Sequence, residues 1–216
     1  MKIGILGATG PAGRGLVARL AGNGFSVIAG SRELAKATAV VEAAREKWGD
    51  RVSTVTPAMN ADAAAEGDLV VLATTWEGTV PTAGDHAGAM AGKVVVCMAN
   101  AMEKIDDAMV PLVTPEGSLA EQVQAAAPDS MVSAAFHHVP AAAFAALDQS
   151  MEGDVVVVSD HPEATKATCE LVEAIPDLRS LDGGPLRNAV ALEAFCAVLV
   201  TVNIRHGGRR TLSLSR

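Results

Sequence analysis

Short apolar runs recur along the chain, each followed by a longer stretch whose apolar positions return at helical spacing. Lys2–Leu6 is the first such run, and behind it Leu16, Val17 and Leu20 share one helix face. Gly24 ends that helix, residues 25–29 read as a second strand, and helical residues continue to about Trp48. A third strand is expected at 51–56, then a short Ala-rich helix over Asn60–Glu66. Residues 68–73 and 93–98 are continuous apolar runs, as parallel strands covered on both faces require. Residues 103–117 lack a clean period and carry Pro111 and Pro115, which predicts a surface excursion. Ser118 and Glu121 stand at capping-box spacing and open the next helix. Strands return at 131–136, 154–159 and 177–181, with a helix from Pro162 to about Ile175 before the last. After the turn Asp182-Gly183-Gly184-Pro185, residues 186–204 form a long, mostly apolar helix.

The turn after the first strand is Gly7-Ala8-Thr9-Gly10-Pro11-Ala12-Gly13. Strand, glycine turn and helix together are the context of a dinucleotide-phosphate site. Gly7 makes the tight turn, Gly10 lets the backbone approach a pyrophosphate, and Gly13 lets helix and strand pack closely. Pro11 suits the first helical turn, where its missing N–H removes no bond. The remaining free N–H groups and the helix dipole favour an anion. The fold class is therefore α/β: a Rossmann-type, mostly parallel sheet with helices on both faces, plus a small C-terminal domain. The division is expected at 1–140 and 141–216.

Composition narrows the chemistry. Tyrosine is absent from the 216 residues, which excludes short-chain dehydrogenases, since these need a tyrosine acid. The last lysine is Lys166, so the C-terminal helix lacks the lysine that β-hydroxyacid dehydrogenases use. A net charge of −8 argues against nucleic-acid and membrane-surface partners. Cys97, Cys169 and Cys196 each sit in an apolar run, as core residues in a reducing compartment do. No secretory signal precedes the first strand, and a cytoplasmic location is expected. Asn188, Glu193 and Asn203 interrupt the last helix. That disfavours a membrane span and predicts burial against a partner subunit.

Where the second strand ends, a fold of this kind that binds NAD usually offers an acid to the ribose. Here Ser31 and Arg32 stand instead, with Lys36 one turn on. A hydroxyl, a planar guanidinium and an ammonium suit a 2′-phosphate, hence NADP(H); the alternative is a helix cap with solvated charges. Trp76 lies in a cleft loop and either covers a cofactor ring or wedges under a helix. Asn100 either bonds the cofactor or stabilises its own turn. His137 and His138 end the sixth strand; in an extended segment they point apart, one to the cleft and one to the flank. No carboxylate or cysteine stands at ligand spacing to them, so no metal site is expected. Arg205, Arg209 and Arg210 make a basic tail that either meets an anion or is a solvated, frayed end.

Together these residues resemble the F420-dependent NADP reductase family, from Lys2 to the C-terminus. The resemblance rests on the glycine turn, Gly30-Ser31-Arg32, the Trp76-Glu77 loop, Ser133 to Phe144, and Asp182-Gly183-Gly184-Pro185-Leu186. It implies a homodimer that passes a hydride between NADP(H) and the deazaflavin F420. Carried over by motif, Thr9, Gly10, Pro11 and Ala12 contact the pyrophosphate beside the turn at Gly7, while Ser31, Arg32 and Lys36 hold the 2′-phosphate. Trp76, Asn100 and Ala141 border the nicotinamide and ribose. His137, Val139 and Pro140 lie beside the deazaflavin, and Thr211 meets its polar edge; His137 and neighbouring backbone groups are then expected to orient the deazaflavin and stabilise charge on its pyrimidine end. Thr75 stands where the family has proline, and the 97–102 loop and the tail beyond Arg209 also depart. Two other readings keep the NADP(H) site: reduction of a flavin, imine or ferric iron, and a non-enzymatic redox sensor.

Overall fold

The computed structural model describes residues 1–215. β1 (Lys2–Leu6) leads through the glycine turn into α1 (Pro11–Gly22), and β2 (Ser26–Ser31) into α2 (Leu34–Trp48). β3 (Val55–Met59), α3 (Asn60–Glu66), β4 (Leu69–Leu72), α4 (Trp76–Asp85), α5 (Ala87–Met90) and β5 (Val94–Cys97) follow. Next come the hairpin β6 (Met102–Ile105) and β7 (Ala108–Pro111), then α6 (Leu119–Ala126), β8 (Met131–Ala134) and α7 (Ala141–Phe144). β9 (Gly153–Ser159), α8 (Pro162–Glu173), β10 (Leu178–Asp182) and α9 (Ala189–His206) complete the chain.

Eight strands form one sheet in the order β10-β9-β8-β5-β4-β1-β2-β3. Every neighbouring pair is parallel except β8 and β9, which meet at Ser133↔Ser159 and Ala134↔Val158. The chain steps outward from β1 to β3 and then returns to β4 on the other side of β1. That reversal opens a crevice beyond the carboxyl ends of β1 and β4, where ligands of such sheets sit. Side chains alternate across the sheet: Ile3 and Ile5 enter one apolar layer with Leu16, Leu20 and Leu171. Leu6 and Leu72 enter the other, with Val95, Val123 and Leu186. β4 is buried along its whole length, so its apolar run is the signature of a strand covered on both sides. Ser118 and Glu121 form the expected capping box.

Three expectations differ. Residues 49–52 form a 3-10 turn and β3 starts at Val55, because Gly49 ends α2 with a φ of 56° and Asp50 then closes a turn onto Ser53. Residues 102–111 form a hairpin, turned at Asp106 (φ 53°) and tied to α9 by Met109 N–H donating to Thr201. Its strands are too short for alternation to show. The basic tail is docked rather than frayed: Arg205 pairs with Asp107, and Asp154 N–H donates to Leu212. Arg179 clasps Asp154 through two bonds of 2.6 and 2.8 Å beside the backbone of Leu214.

Candidate functional site

A cavity of about 230 Å³ lies at the crevice, lined by Gly7, Thr9, Gly10, Ser31, Arg32 and Lys36 among others. Gly10 caps α1 without a side-chain bond to the helix. The first N–H groups of α1 are thus left for a ligand. Pro11 and Ala12 occupy that first turn, outside the lining. Ser31 is buried, and its Oγ accepts from the N–H of Glu33. Lys36 pairs with Glu33 at 2.6 Å, while Arg32 is exposed and makes no side-chain hydrogen bond among the described residues. Sequence reasoning missed Asn60, whose Oδ1 accepts from Gly7 N–H, and Thr74. Each comes from a different element, and no local motif marks it.

A second cavity, of about 390 Å³, is mostly apolar and runs between the segment after β8 and α9. His137, His138, Val139, Pro140 and Ala141 line it, facing Cys196, Leu199 and Val200. The two histidines do not diverge. Phe136 has a φ of 64°, which breaks the extended geometry, and both imidazoles border the same space with ring centroids 6.4 Å apart. Asn100 serves this segment: its Oδ1 lies 3.0 Å from His137 Nδ1, and its Nδ2 donates to the His137 carbonyl at 3.4 Å. The second contact fixes the amide orientation, so Nδ1 carries the proton and Nε2 presents a lone pair. His137 Nε2 and His138 Nδ1 are buried without a partner among the described residues. Such atoms are the exception in folded proteins and fit a ligand's polar edge. Thr211 donates to the His138 carbonyl and lines a smaller cavity across Val139 and Pro140, with Arg209 and Gln149. Trp76 opens α4, half-buried against the apolar layer that holds Leu6 and Leu72, and lines neither cavity.

Burial, and then the neighbouring His138, push the His137 pKa down to about 3. The ring is held neutral, and its free nitrogen is an acceptor. Glu193 shows the opposite case. Its carboxylate accepts from Leu119 N–H at 2.9 Å and Ala120 N–H at 3.2 Å, tying α9 to the start of α6. Burial nevertheless raises its pKa from 4.5 to about 7. Between those two values the folded chain holds a proton that the unfolded chain has released, so this group lowers stability as pH rises through that window. Glu193→Gln is expected to remove that slope, by up to about 1.4 kcal/mol per pH unit, in urea unfolding at a series of pH values.

Three comparisons bear on these cavities. A family model described as "NADP oxidoreductase coenzyme F420-dependent" matches residues 2–101. The F420-dependent NADP reductase of Methanocaldococcus jannaschii is 34% identical over 98% of this chain and 96% of its own. The enzyme of that name from Methanothermobacter marburgensis is 32% identical over 95% and 94%. A crystal structure from Arthrobacter sp. FB24, with a provisional assignment as an F420-dependent NADP reductase, superimposes with a TM-score of 0.84 at 26% identity, over 100% of both chains.

Proposed function

The chain belongs to the F420-dependent NADP reductase family, and from that premise we propose that its two cavities are the two halves of one hydride-transfer site. NADP(H) lies along the α1 N-terminus and F420 lies in the apolar cavity beside His137. In this reading residues 1–140 hold NADP(H), and 141–216 complete the deazaflavin pocket. The observation that carries it is the pair of buried, unpartnered imidazole nitrogens in an apolar space, which suits a flat ring with a polar edge.

The residues fit both coenzymes. Unbonded N–H groups at the start of α1 suit a pyrophosphate, and Arg32 suits a 2′-phosphate. NADPH would supply a hydride that the deazaflavin accepts at carbon, with a proton from solvent neutralising the charge left on its pyrimidine end. Neither event needs an acid or a nucleophile from the protein. What the chain does is align and dry the rings, with donor and acceptor about 3–3.5 Å apart. His137 accepts an N–H of the bound ring and sets its orientation. Val139, Pro140 and Ala141 form an apolar wall with α9, and Thr211 holds the backbone of His138. Asn100 keeps the His137 tautomer, and Trp76 braces the loop whose Thr74 and Thr75 line the phosphate cavity.

Purified protein mixed with NADPH is expected to bleach the deazaflavin absorbance band of F420 and to leave riboflavin unreduced. Flavin reduction without F420 reduction would replace this acceptor. We further propose a cytoplasmic homodimer with no nucleic-acid or membrane partner. Leu186–His206 is the one stretch among the described residues long and apolar enough to cross a membrane. Phe195, Val198 and Ile204 on it are 43, 53 and 50% exposed. Phe195 and Val198, three residues apart, share one helix face, and an apolar face of that kind is covered when two copies pack together. Val198→Asp is expected to convert a dimer to monomers in sedimentation at micromolar concentration; an unchanged mass would place the interface elsewhere.

A further inference from the structure

Arg19 lies on α1 and is only 6% exposed. Among the described residues it has no ion pair; carbonyls meet its charge instead. Its Nη2 donates to Ala143 at 2.8 Å and Ala146 at 2.6 Å, and its Nε to Phe144 at 3.3 Å. Arg51 adds a bond to the Leu147 carbonyl at 3.1 Å. One turn before Arg19, Gly15 brings the backbones of α1 and α7 together. A Cβ there would stand 2.8 Å from the Ala141 oxygen and 2.8 Å from Phe144 Cβ. Phe144 is fully buried, edge-on to Phe136. The segment gripped in this way begins at Ala141, which with Val139 and Pro140 walls the His137 cavity. The same helix opens on the phosphate cavity at its other end.

We propose that Arg19 is a positioning residue for hydride transfer: it seats residues 139–141 against the helix that carries the NADP(H) phosphates, and so fixes the separation of the two rings. The inference rests on the hydride-transfer reading above. One rigid helix faces the donor's phosphates at its first turn, meets Ala141 of the acceptor's wall at Gly15 one turn later, and holds the carbonyls just behind that wall at Arg19. A guanidinium suits the task because its planar fork serves several carbonyls at once, whereas an ammonium on a flexible stem does not hold the same fan. Reaction rate falls steeply with misplacement, by about a hundredfold for about 1 Å.

The test is single-turnover reduction of F420 by NADPH in Arg19→Met and Arg19→Lys, with NADPH affinity measured alongside. Arg19→Met is expected to slow transfer about 10–100-fold while NADPH affinity stays within about twofold, with an altered primary deuterium isotope effect. Arg19→Lys is expected to recover part of the rate. Transfer at the wild-type rate in a folded Arg19→Met would overturn the proposal, as would equal losses of rate and NADPH affinity with an unchanged isotope effect. Should Arg19→Met not fold, Gly15→Ala displaces α7 while keeping every polar group, and the same slowing is expected of it. If the wild type fails to reduce F420, the acceptor reading falls, and hydrogen exchange of residues 139–146 in the NADPH complex then reads the clamp. Faster exchange in the variant supports the clamp, and unchanged exchange sinks it.

Discussion

Arg32→Ala is expected to lower kcat/KM for NADPH about 10–100-fold while NADH changes by less than about twofold. The guanidinium is exposed at the mouth of the phosphate cavity and uncommitted among the described residues, so a bound 2′-phosphate gains its full charge-assisted pair. A bond of that type contributes about 1.5–3 kcal/mol, which sets the range. Lys36 already pairs with Glu33, an exposed contact of about 1 kcal/mol or less, and exchanging Glu33 for phosphate gains correspondingly less. Lys36→Ala is therefore the smaller effect. Coenzyme selectivity measured at low and high salt checks both, because exposed charge pairs are screened. An equal loss with NADH would instead show that the start of α2 had been disturbed.

Gly13→Ala is expected to damage stability and binding together, whereas Gly10→Ala damages binding alone. A Cβ at Gly13 would lie 2.5 Å from the Gly7 oxygen and 2.8 Å from Ala8 Cα, all backbone that cannot step aside. To fit it, α1 must lift away from the turn, at about 1–3 kcal/mol, and the N–H groups aimed at the pyrophosphate go with it. At Gly10 the nearest atoms to an added Cβ are 3.6 and 3.7 Å away. The free protein accepts that methyl group, but it occupies the space a pyrophosphate needs to reach the backbone. Thermal unfolding without coenzyme and NADPH titration separate the two. Gly13→Ala should lower both readings, and Gly10→Ala should keep its Tm and lose about tenfold or more in affinity. A lowered Tm in Gly10→Ala would mean that the turn is tighter than this geometry allows.

The cavity at the start of α1 was the more legible because its signals are local. Gly7, Gly10, Ser31 and Arg32 lie within two consecutive strand-turn-helix units, and each reports its own backbone or charge. The apolar cavity beside His137 was legible only as a strand end. His137 and His138 read as divergent because period-two geometry was carried one residue too far, past Phe136 with its φ of 64°. The hairpin at 102–111 hid because its strands are four residues each, too few to show a period. Arg19 gave no signal at all, since a basic residue in a helix is ordinarily solvated.

The amino-acid sequence on its own determined the mostly parallel α/β sheet, the glycine turn that opens α1 and the cluster of Ser31, Arg32 and Lys36 where β2 ends. Hydrophobic period, glycine spacing and charge type act within a few residues of chain, so one strand-turn-helix unit carries them whole. Only the tertiary structure decided that two imidazoles share one apolar cavity and that Asn100 sets the tautomer of His137. It alone brought Arg19 to carbonyls 124 and 125 residues downstream. Those contacts form when the sheet closes and distant loops meet over its carboxyl edge, and a linear pattern holds no record of which ends will be brought together.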